Sequence, residues 1–153
     1  MLVATAMTRG AEAIGPNESL AQAARRMRDL GVGALAVCED GRVVGLITDR
    51  DVVVRAVAAG CEPEGTSVAS AMTAQVVSCR EDEELADAAT RMELAAVRRL
   101  VVLDAAGRLA GLLSIDDVAL QSPTLAGEIL EHSRAPERPV HRGPWPWWEE
   151  PVH

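Results

Sequence analysis

The sequence contains no phenylalanine, no tyrosine and no lysine, and its three tryptophans all lie near the C-terminus, at positions 145, 147 and 148. Residues 1–144 therefore contain no aromatic ring. Proteins that hold single-stranded nucleic acid generally stack the bases on aromatic side chains beside a basic groove. Since the formal net charge is −8 and no such side chains are available, we do not expect the chain to bind nucleic acid.

Long apolar runs and metal-binding patterns are missing as well. A membrane-spanning helix needs about 20 consecutive apolar residues, and the apolar stretch of residues 31–38 is far too short. No basic segment followed by a long apolar stretch opens the chain, so neither a signal peptide nor membrane association is predicted. The three cysteines are widely spaced, which is typical of reduced, buried thiols in a cytoplasmic protein. All three histidines lie beyond residue 131, so no zinc site is expected.

An internal repeat organises the chain. Residues 6–53 align with residues 71–119, with one inserted residue and 19 identities among 48 aligned pairs. Shared richness in alanine and valine accounts for some of these identities, but not for the aligned glycines and aspartates. Those pairs are Gly41 and Gly107, Gly45 and Gly111, and Asp51 and Asp117. The chain is therefore a tandem duplication.

Each repeat has the pattern of a β-α-β-β-α unit. Apolar residues between Leu20 and Leu30 recur at helical spacing, after a capping-box sequence at residues 19–22. A short strand near residues 13–14 precedes this helix. Two strands, 34–38 and 42–48, follow it and are joined by a tight turn at Asp40-Gly41. A second helix, at about residues 49–59, ends at Gly60.

The second copy runs from about residue 76 to residue 121. Neither copy is large enough to bury both of its faces alone. The fold class is therefore α/β (α+β), with two tandem β-α-β-β-α repeats packed as one pseudo-two-fold module.

The end of each repeat resembles the CBS domain. Gly45–Asp51 and Gly111–Asp117 both have Gly, apolar residues, Thr or Ser, two variable residues and Asp. The tandem is similar to a Bateman module, and especially to stand-alone CBS pairs of the actinobacterial hypoxic-response type. The expected divisions are repeat one at 1–62, repeat two at 63–122, a short C-terminal helix at 123–135 and a Pro/Trp-rich tail at 136–153.

Thr48 and Asp51 can be interpreted in two compatible ways. A carboxylate beside a hydroxyl at a helix N-terminus suits the cis-diol of a ribose, because the carboxylate accepts hydrogen bonds from both hydroxyls. Alternatively, Thr48 caps the helix and Asp51 complements the helix dipole. Ser114 and Asp117 repeat the pattern.

The resemblance implies that an adenine lies between aliphatic side chains at the junction of the two repeats. The Arg pair at 98–99 would supply a partner for a phosphate, or it would form a solvated strand edge. The complete set of predicted ligand-binding residues is Ile14, Thr48, Asp51, Val77, Ser78, Arg98, Arg99, Leu112, Ser114 and Asp117. Repeat one has Gly33-Ala34 in place of the Arg pair, and it has Ala13 where repeat two has Ser78. If each cleft combines its own Asp with the first strand of the other repeat, Thr48 and Asp51 lack the Arg pair, and Ser114 and Asp117 face Ala13. At most one tight site is therefore expected, preferably the cleft with Asp117.

Together with these residues, the resemblance implies a cytoplasmic, non-enzymatic sensor of an adenosyl-type small molecule. No catalytic residues are assigned, because the repeats lack histidine and contain no nucleophile paired with a base. No cofactor is required; AMP, ADP, ATP or S-adenosylmethionine would be a regulatory ligand. The resemblance further implies a homodimer, and an unidentified effector protein would receive the signal. The alternative is a structural or protein-interaction module with empty clefts that uses its Trp-rich tail for dimer or partner contacts.

The C-terminal segment is unlike the repeats. One more short helix is predicted at residues 125–131, and five prolines between Pro136 and Pro151 exclude a regular helix there. The clustered tryptophans favour a docked segment, on the module itself, on a dimer mate or on a separate partner, because exposed tryptophan is costly. A disordered tail is the alternative.

Overall fold

The computed structural model describes residues 1–132. The Pro/Trp-rich tail predicted at 136–153, and its predicted docking, lie outside the described residues. Within residues 1–132, no helix has both the length and the apolar character needed to cross a membrane.

The leading segment and the first repeat form short helices and strands around one long helix and one hairpin. In chain order these elements are α1 (Val3–Ala6), β1 (Thr8–Arg9), β2 (Ala13–Ile14), α2 (Leu20–Leu30), β3 (Ala34–Glu39), β4 (Arg42–Thr48) and α3 (Asp49–Asp51), which continues as a π-helical segment (Val52–Val57).

The second repeat follows the same order, except that an isolated bridge at Thr73 replaces a strand corresponding to β1, and it adds a terminal helix. Its elements are α4 (Val68–Ala71), β5 (Ser78–Arg80), α5 (Leu85–Ala95), β6 (Arg99–Leu103), β7 (Leu109–Ser114), α6 (Ile115–Gln121) and α7 (Pro123–His132). The β-α-β-β-α pattern of each repeat and the mixed α/β class are confirmed.

Local signals placed the start of α2 and the turn between β3 and β4 correctly, whereas the helix predicted at about residues 49–59 is α3 followed by a π-helical segment that ends at Val57. The Gln22 N–H donates to Ser19 Oγ at 3.1 Å and the Ser19 N–H donates to Gln22 Oε1 at 2.8 Å, which is the predicted capping box of α2. The turn between β3 and β4 has positive φ at both central residues, 50° at Asp40 and 77° at Gly41. A two-residue hairpin of this kind matches the right-handed twist of its strands.

The two sheets exchange their leading segments. The first repeat contributes a three-stranded sheet in the order β2-β3-β4, and the second a four-stranded sheet in the order β1-β7-β6-β5. Strand β1 precedes the first repeat in sequence, yet its Thr8 pairs antiparallel with Leu112 of the second repeat. In the opposite direction, Thr73 bridges to Leu46 of the first repeat. Segments on each side of residue 62 therefore pair with the opposite repeat. The boundary between the repeats at residue 62 stays a prediction.

Two aliphatic cores reflect the same exchange. Val3 and Met7 lie in the core of the second repeat, whereas Val68 and Ala71 lie in the core of the first. Helix α7 adds Ala126 to the second core; it contains the helix predicted at 125–131 and packs against α5 and α6. Each core thus takes its apolar residues from both halves of the sequence.

The prediction of three buried thiols is correct for one cysteine. Cys79 is buried in strand β5, Cys38 is half-buried near the end of β3, and Cys61 is exposed. Cys61 follows Gly60, which has a φ of 75°, in an irregular stretch outside both cores.

Candidate functional site

The shared sequence motif forms the same capping box in both repeats. The Asp51 N–H donates to Thr48 Oγ1 at 3.1 Å, and the Thr48 N–H donates to Asp51 Oδ2 at 3.0 Å. In the second repeat the corresponding distances are 3.2 Å to Ser114 Oγ and 2.8 Å to Asp117 Oδ2. The helix-capping interpretation is therefore confirmed at both places, and it uses one oxygen of each carboxylate.

The second carboxylate oxygen distinguishes the two repeats. Asp51 Oδ1 lies 3.6 Å from Arg55 Nε, four residues later on the same helical segment. The residue four positions after Asp117 is Gln121, and within residues 1–132 no hydrogen-bond or ion-pair partner occupies Asp117 Oδ1. Among the described residues, Asp117 Oδ1 is therefore available as an acceptor, whereas Asp51 Oδ1 lies beside the guanidinium group of Arg55.

Asp117 lies on a cleft of about 430 Å³ between the two repeats. Its walls comprise residues 8–12, which lead into the first repeat, residues 32–35 around the start of β3, and residues of β7 and α6. The volume falls in the range typical of small-molecule sites, roughly 300–1,000 Å³. Two apolar side chains on this wall, Leu30 and Val32, are 43% and 37% exposed, so the cleft offers apolar surface that a ligand could cover.

Four of the ten residues predicted for ligand binding line this cleft: Arg99, Leu112, Ser114 and Asp117. A second cleft, of about 560 Å³, lies between the two hairpin turns and includes Ser78. It contains neither of the hydroxyl and carboxylate pairs. The cleft with Asp117 is therefore the candidate site.

Five predicted residues line neither of these two clefts: Ile14, Thr48, Asp51, Val77 and Arg98. Ile14 is only 1% exposed and belongs to the first core, so it packs inside the module instead of forming a wall. Arg98 precedes β6, whereas Arg99 begins the strand and lines the cleft. The Arg pair therefore does not act as a unit at this cleft.

Sequence reasoning missed several residues of the cleft. It expected Ala13 of the first strand to face Ser114 and Asp117, but residues 8–12 just before that strand take this place. The exchange of leading segments is the cause, and the recurrence of Ala-Met-Thr at 6–8 and 71–73 was the signal that could have drawn attention to them. Glu12 and Asp116 also line the cleft and were not predicted.

The lack of a side chain at Gly33 leaves space at the cleft wall for the charged side chains of Asp49 and Arg99. A Cβ atom at this position would lie 3.1 Å from Asp49 Oδ2 and 3.5 Å from Arg99 Nη2. A side chain there would compete with both groups for space. Gly33 thus occupies the position in repeat one that Arg98 occupies in repeat two, and its lack of a side chain leaves space for Arg99.

Comparison with curated proteins gives relatives across most of the chain. The chain is 33% identical over 126 residues to the CBS domain-containing protein YhcV of Bacillus subtilis, covering 81% of this chain and 89% of YhcV. It is 31% identical over 118 residues to Hypoxic response protein 1 of Mycobacterium tuberculosis, covering 76% and 82%. An uncharacterised Methanopyrus kandleri protein, MK0525, is 30% identical over 120 residues, which are 78% of this chain and only 61% of that longer protein.

Solved structures share the fold. The CBS domain protein TA0289 of Thermoplasma acidophilum, described as of unknown function, superposes with a TM-score of 0.79 at 22% identity, covering 90% of this chain and 78% of that one. Hypoxic Response Protein I, solved with two coordinated zinc ions, gives 0.70 at 30% identity, covering 80% and 100%. The CBS domain pair of protein MJ0100, solved with 5′-methylthioadenosine and S-adenosyl-L-methionine, gives 0.71 at 23% identity, covering 79% and 98%.

The zinc ions of Hypoxic Response Protein I have no visible counterpart in the described part of this chain. Among residues 1–132, no group of three or more His, Cys, Asp or Glu side chains is placed to hold a metal ion.

The model of one family, the CBS domain, matches the chain twice, at residues 3–57 and 68–122. These two matches coincide with the two structural repeats and together span more than half of the sequence. The chain therefore belongs to the CBS domain family, as a tandem pair.

Proposed function

We propose that this protein is a cytoplasmic, non-enzymatic regulatory module that binds an adenosyl ligand in the cleft with Asp117 and signals to a separate protein. The observation that carries the proposal is that Asp117 Oδ1, on the wall of a cleft of about 430 Å³, has no partner among residues 1–132. The same wall contains apolar side chains and the guanidinium group of Arg99.

The cleft offers a complementary group for each part of an adenosyl compound. Asp117 would accept hydrogen bonds from the ribose hydroxyls through Oδ1, while its Oδ2 stays in the capping box. Leu30, Val32 and Leu112 would cover the faces of the purine in place of an aromatic ring. Arg99 would donate to an anionic group through its planar fork of N–H donors.

The fold itself supports the choice of ligand class. MJ0100 was solved with two adenosyl compounds bound, and its CBS pair shares the architecture described above. AMP, ADP, ATP and S-adenosylmethionine are accordingly the ligands to test.

Regulation would follow from the position of the cleft. Its walls include residues 8–12, which connect β1 in the second sheet to β2 in the first. A ligand that binds one packing of the two repeats more tightly than another shifts the population toward that packing. The resulting change would be transmitted to an effector protein, and we propose a homodimer as the assembly that presents it.

Isothermal titration calorimetry with these four ligands tests the proposal. Asp117→Asn keeps an oxygen acceptor for the Ser114 N–H but replaces the free oxygen by an amide donor. We expect it to weaken binding about tenfold or more, in line with roughly 1.5–3 kcal/mol for a hydrogen bond to a charged group. Asp51→Asn makes the same change outside the cleft and should leave the affinity unaltered.

Two results would contradict the adenosyl-binding role. One is the absence of binding below millimolar concentration for every ligand in the wild-type protein. The other is an Asp117→Asn variant that binds as tightly as the wild type.

A structural or protein-interaction module with empty clefts is the second candidate. Three valines of the π-helical segment, Val53, Val54 and Val57, are each more than half exposed, which favours a surface that another protein covers. This role requires that the calorimetric titrations give no binding while association with a second chain persists.

A further inference from the structure

We propose that the cleft with Asp117 selects adenosyl ligands carrying at most one phosphate, and that Asp116 is a residue that sets this selectivity. The inference rests on the proposed function, since it concerns the ligand class of the same site. It follows from the charges on the cleft walls, of which the sequence predicted Arg99 and Asp117 but not Arg9, Glu12 and Asp116.

The ionic side chains of the cleft carry more negative than positive charge. Three carboxylates, those of Glu12, Asp116 and Asp117, line it together with two guanidinium groups, those of Arg9 and Arg99. Further phosphates on a ligand would therefore lie beside a cleft wall that already carries a net negative charge.

The two arginines differ in their contacts with acidic side chains, although the Arg9 side chain is 63% exposed. Arg9 Nη1 lies 3.4 Å from Glu81 Oε2, a carboxylate that does not line the cleft. The Arg99 side chain forms no hydrogen bond or ion pair with any residue that the structure describes, although its backbone pairs with Ser114. A Cβ atom at Gly33 would lie near both Arg99 Nη2 and Asp49 Oδ2. A single planar guanidinium can pair with one phosphate group in a bidentate manner.

The N-terminus of α6 does not add a phosphate cradle. The Ile115 N–H donates to the Arg98 carbonyl at 3.0 Å, and the Asp117 N–H donates to Ser114 Oγ at 3.2 Å. The partial positive charge of the helix end is complemented by two carboxylates in its first turn. The backbone donors that bind phosphates in other proteins are thus largely occupied.

The first repeat has the opposite charge at the same position of the motif. In the alignment of the repeats, Asp116 corresponds to Arg50. Both residues lie between the capping residue and the shared aspartate, in the first turn of a helix, and both are exposed. The fold therefore accommodates either charge there, so substitutions at Asp116 test selectivity without disturbing packing.

The consequence for ligands depends on the number of phosphates. A phosphate monoester carries about −1.5 to −2 at pH 7, of which the single positive charge of Arg99 would offset about half to two-thirds. Each further phosphate adds negative charge that faces Glu12 and Asp116. Adenosyl compounds with a neutral or cationic 5′ substituent, and AMP, should therefore bind more tightly than ADP or ATP.

Calorimetric titration of adenosine, AMP, S-adenosylmethionine and ATP into the wild type, Asp116→Asn, Asp116→Arg and Asp87→Asn tests the inference. Asp87 is an exposed acid in the first turn of α5 and serves as the matched control. We expect the wild type to prefer adenosine over ATP by about tenfold or more. Asp116→Asn should tighten ATP binding about threefold and Asp116→Arg about tenfold, as expected for solvent-screened charges. The ratio of ATP affinity to adenosine affinity should rise in both Asp116 variants, and Asp87→Asn should behave as the wild type.

The outcomes separate the two proposals. Equal affinity of the wild type for ATP and adenosine, or an ATP-to-adenosine ratio that Asp116→Asn and Asp116→Arg leave unaltered, overturns the selectivity and leaves the adenosyl-binding role standing. Failure of all four compounds to bind the wild type overturns that role itself. Thermal unfolding of each variant verifies that the comparisons are between folded proteins.

Discussion

Single residues around a shared motif make the two repeats of this CBS pair unequal. Both aspartates cap their helices in the same way, but only Asp51 has an arginine four residues later. Gln121 at the corresponding place leaves the outer oxygen of Asp117 available. One substitution thus decides which carboxylate can accept hydrogen bonds from a ligand.

Thiol reactivity is a prediction at the same scale. Burial, followed by repulsion from Glu83, raises the pKa of Cys79 to about 11, with a smaller opposing effect from Arg91. Cys79 therefore remains a protonated, inaccessible thiol at pH 8, where the exposed Cys61 is accessible. With a chromogenic disulfide reagent we expect Cys61 to react first in the folded protein and Cys79 to react only on unfolding. A Cys61→Ser variant should lose the fast phase; a fast phase that persists would contradict this assignment.

The same pKa shift predicts how stability changes at alkaline pH. Because the pKa of Cys79 is higher in the folded state than its ordinary value of 9.0, ionisation is easier in the unfolded chain. The stabilisation is fully present below about pH 9 and is lost as the pH rises toward about 11. Urea denaturation of the wild type and of Cys79→Ala across this interval should show a decrease in the free energy of unfolding that is smaller in the variant.

At the scale of elements, the glycine of each motif allows a segment of the other repeat to lie very close to its strand. A Cβ atom at Gly45 would lie 2.5 Å from Met72 Sδ and 3.0 Å from the Thr73 carbonyl oxygen. At Gly111 it would overlap the carbonyl oxygen of Thr8. The glycines of β4 and β7 are therefore needed because the leading segment of the other repeat pairs beside them at very short range.

Substitution of Gly111 tests this role. Gly111→Ala should lower the free energy of unfolding by roughly 1–3 kcal/mol, since a methyl group forced into a packed position displaces its neighbours. Gly127 in α7 has no other atom within 4 Å of the corresponding Cβ position and is the matched control. Gly127→Ala should raise stability by up to about 1 kcal/mol, because alanine is the better helix former. Denaturation curves that shift alike for the two variants would refute the explanation that Gly111 is needed for close packing of the paired segment.

At the scale of the whole molecule, the exchanged segments join the repeats into one packed unit. Residues 1–9 complete the second sheet and core, and residues 67–73 pack on the first repeat. This packing leaves the π-helical segment with an uncovered apolar surface, formed by Val53 at 57%, Val54 at 52% and Val57 at 55% exposure. An apolar patch of this kind is the surface that the proposed homodimer would cover.

The assembly can be measured directly. We expect light scattering to give twice the 16.2 kDa mass of the chain for the wild type, and a monomer for Val53→Glu combined with Val57→Glu, since charge is costly in an apolar interface. Leu94, which is 82% exposed on α5, supplies the control Leu94→Glu, which should remain dimeric. A monomeric wild type, or a valine variant that still dimerises, would count against this interface.

The sequence by itself determined the local architecture and the family. The Ser19–Gln22 capping box, the Asp40-Gly41 turn and the strand and helix limits depend on neighbouring residues, and so their signals are present in short stretches of the chain. The duplicated motif ending in Asp51 and Asp117 carried the CBS resemblance for the same reason.

Tertiary structure alone decided which distant residues meet. The exchange of segments 1–9 and 67–73 depends on long-range packing, which no periodicity encodes, and it brought residues 8–12 to the cleft in place of Ala13. Ile14 lies in the core of the first repeat, where its strand pairs with β3. The acidic surplus beside Arg99 likewise arises only where both repeats supply one wall, since the charges that form it are far apart along the chain.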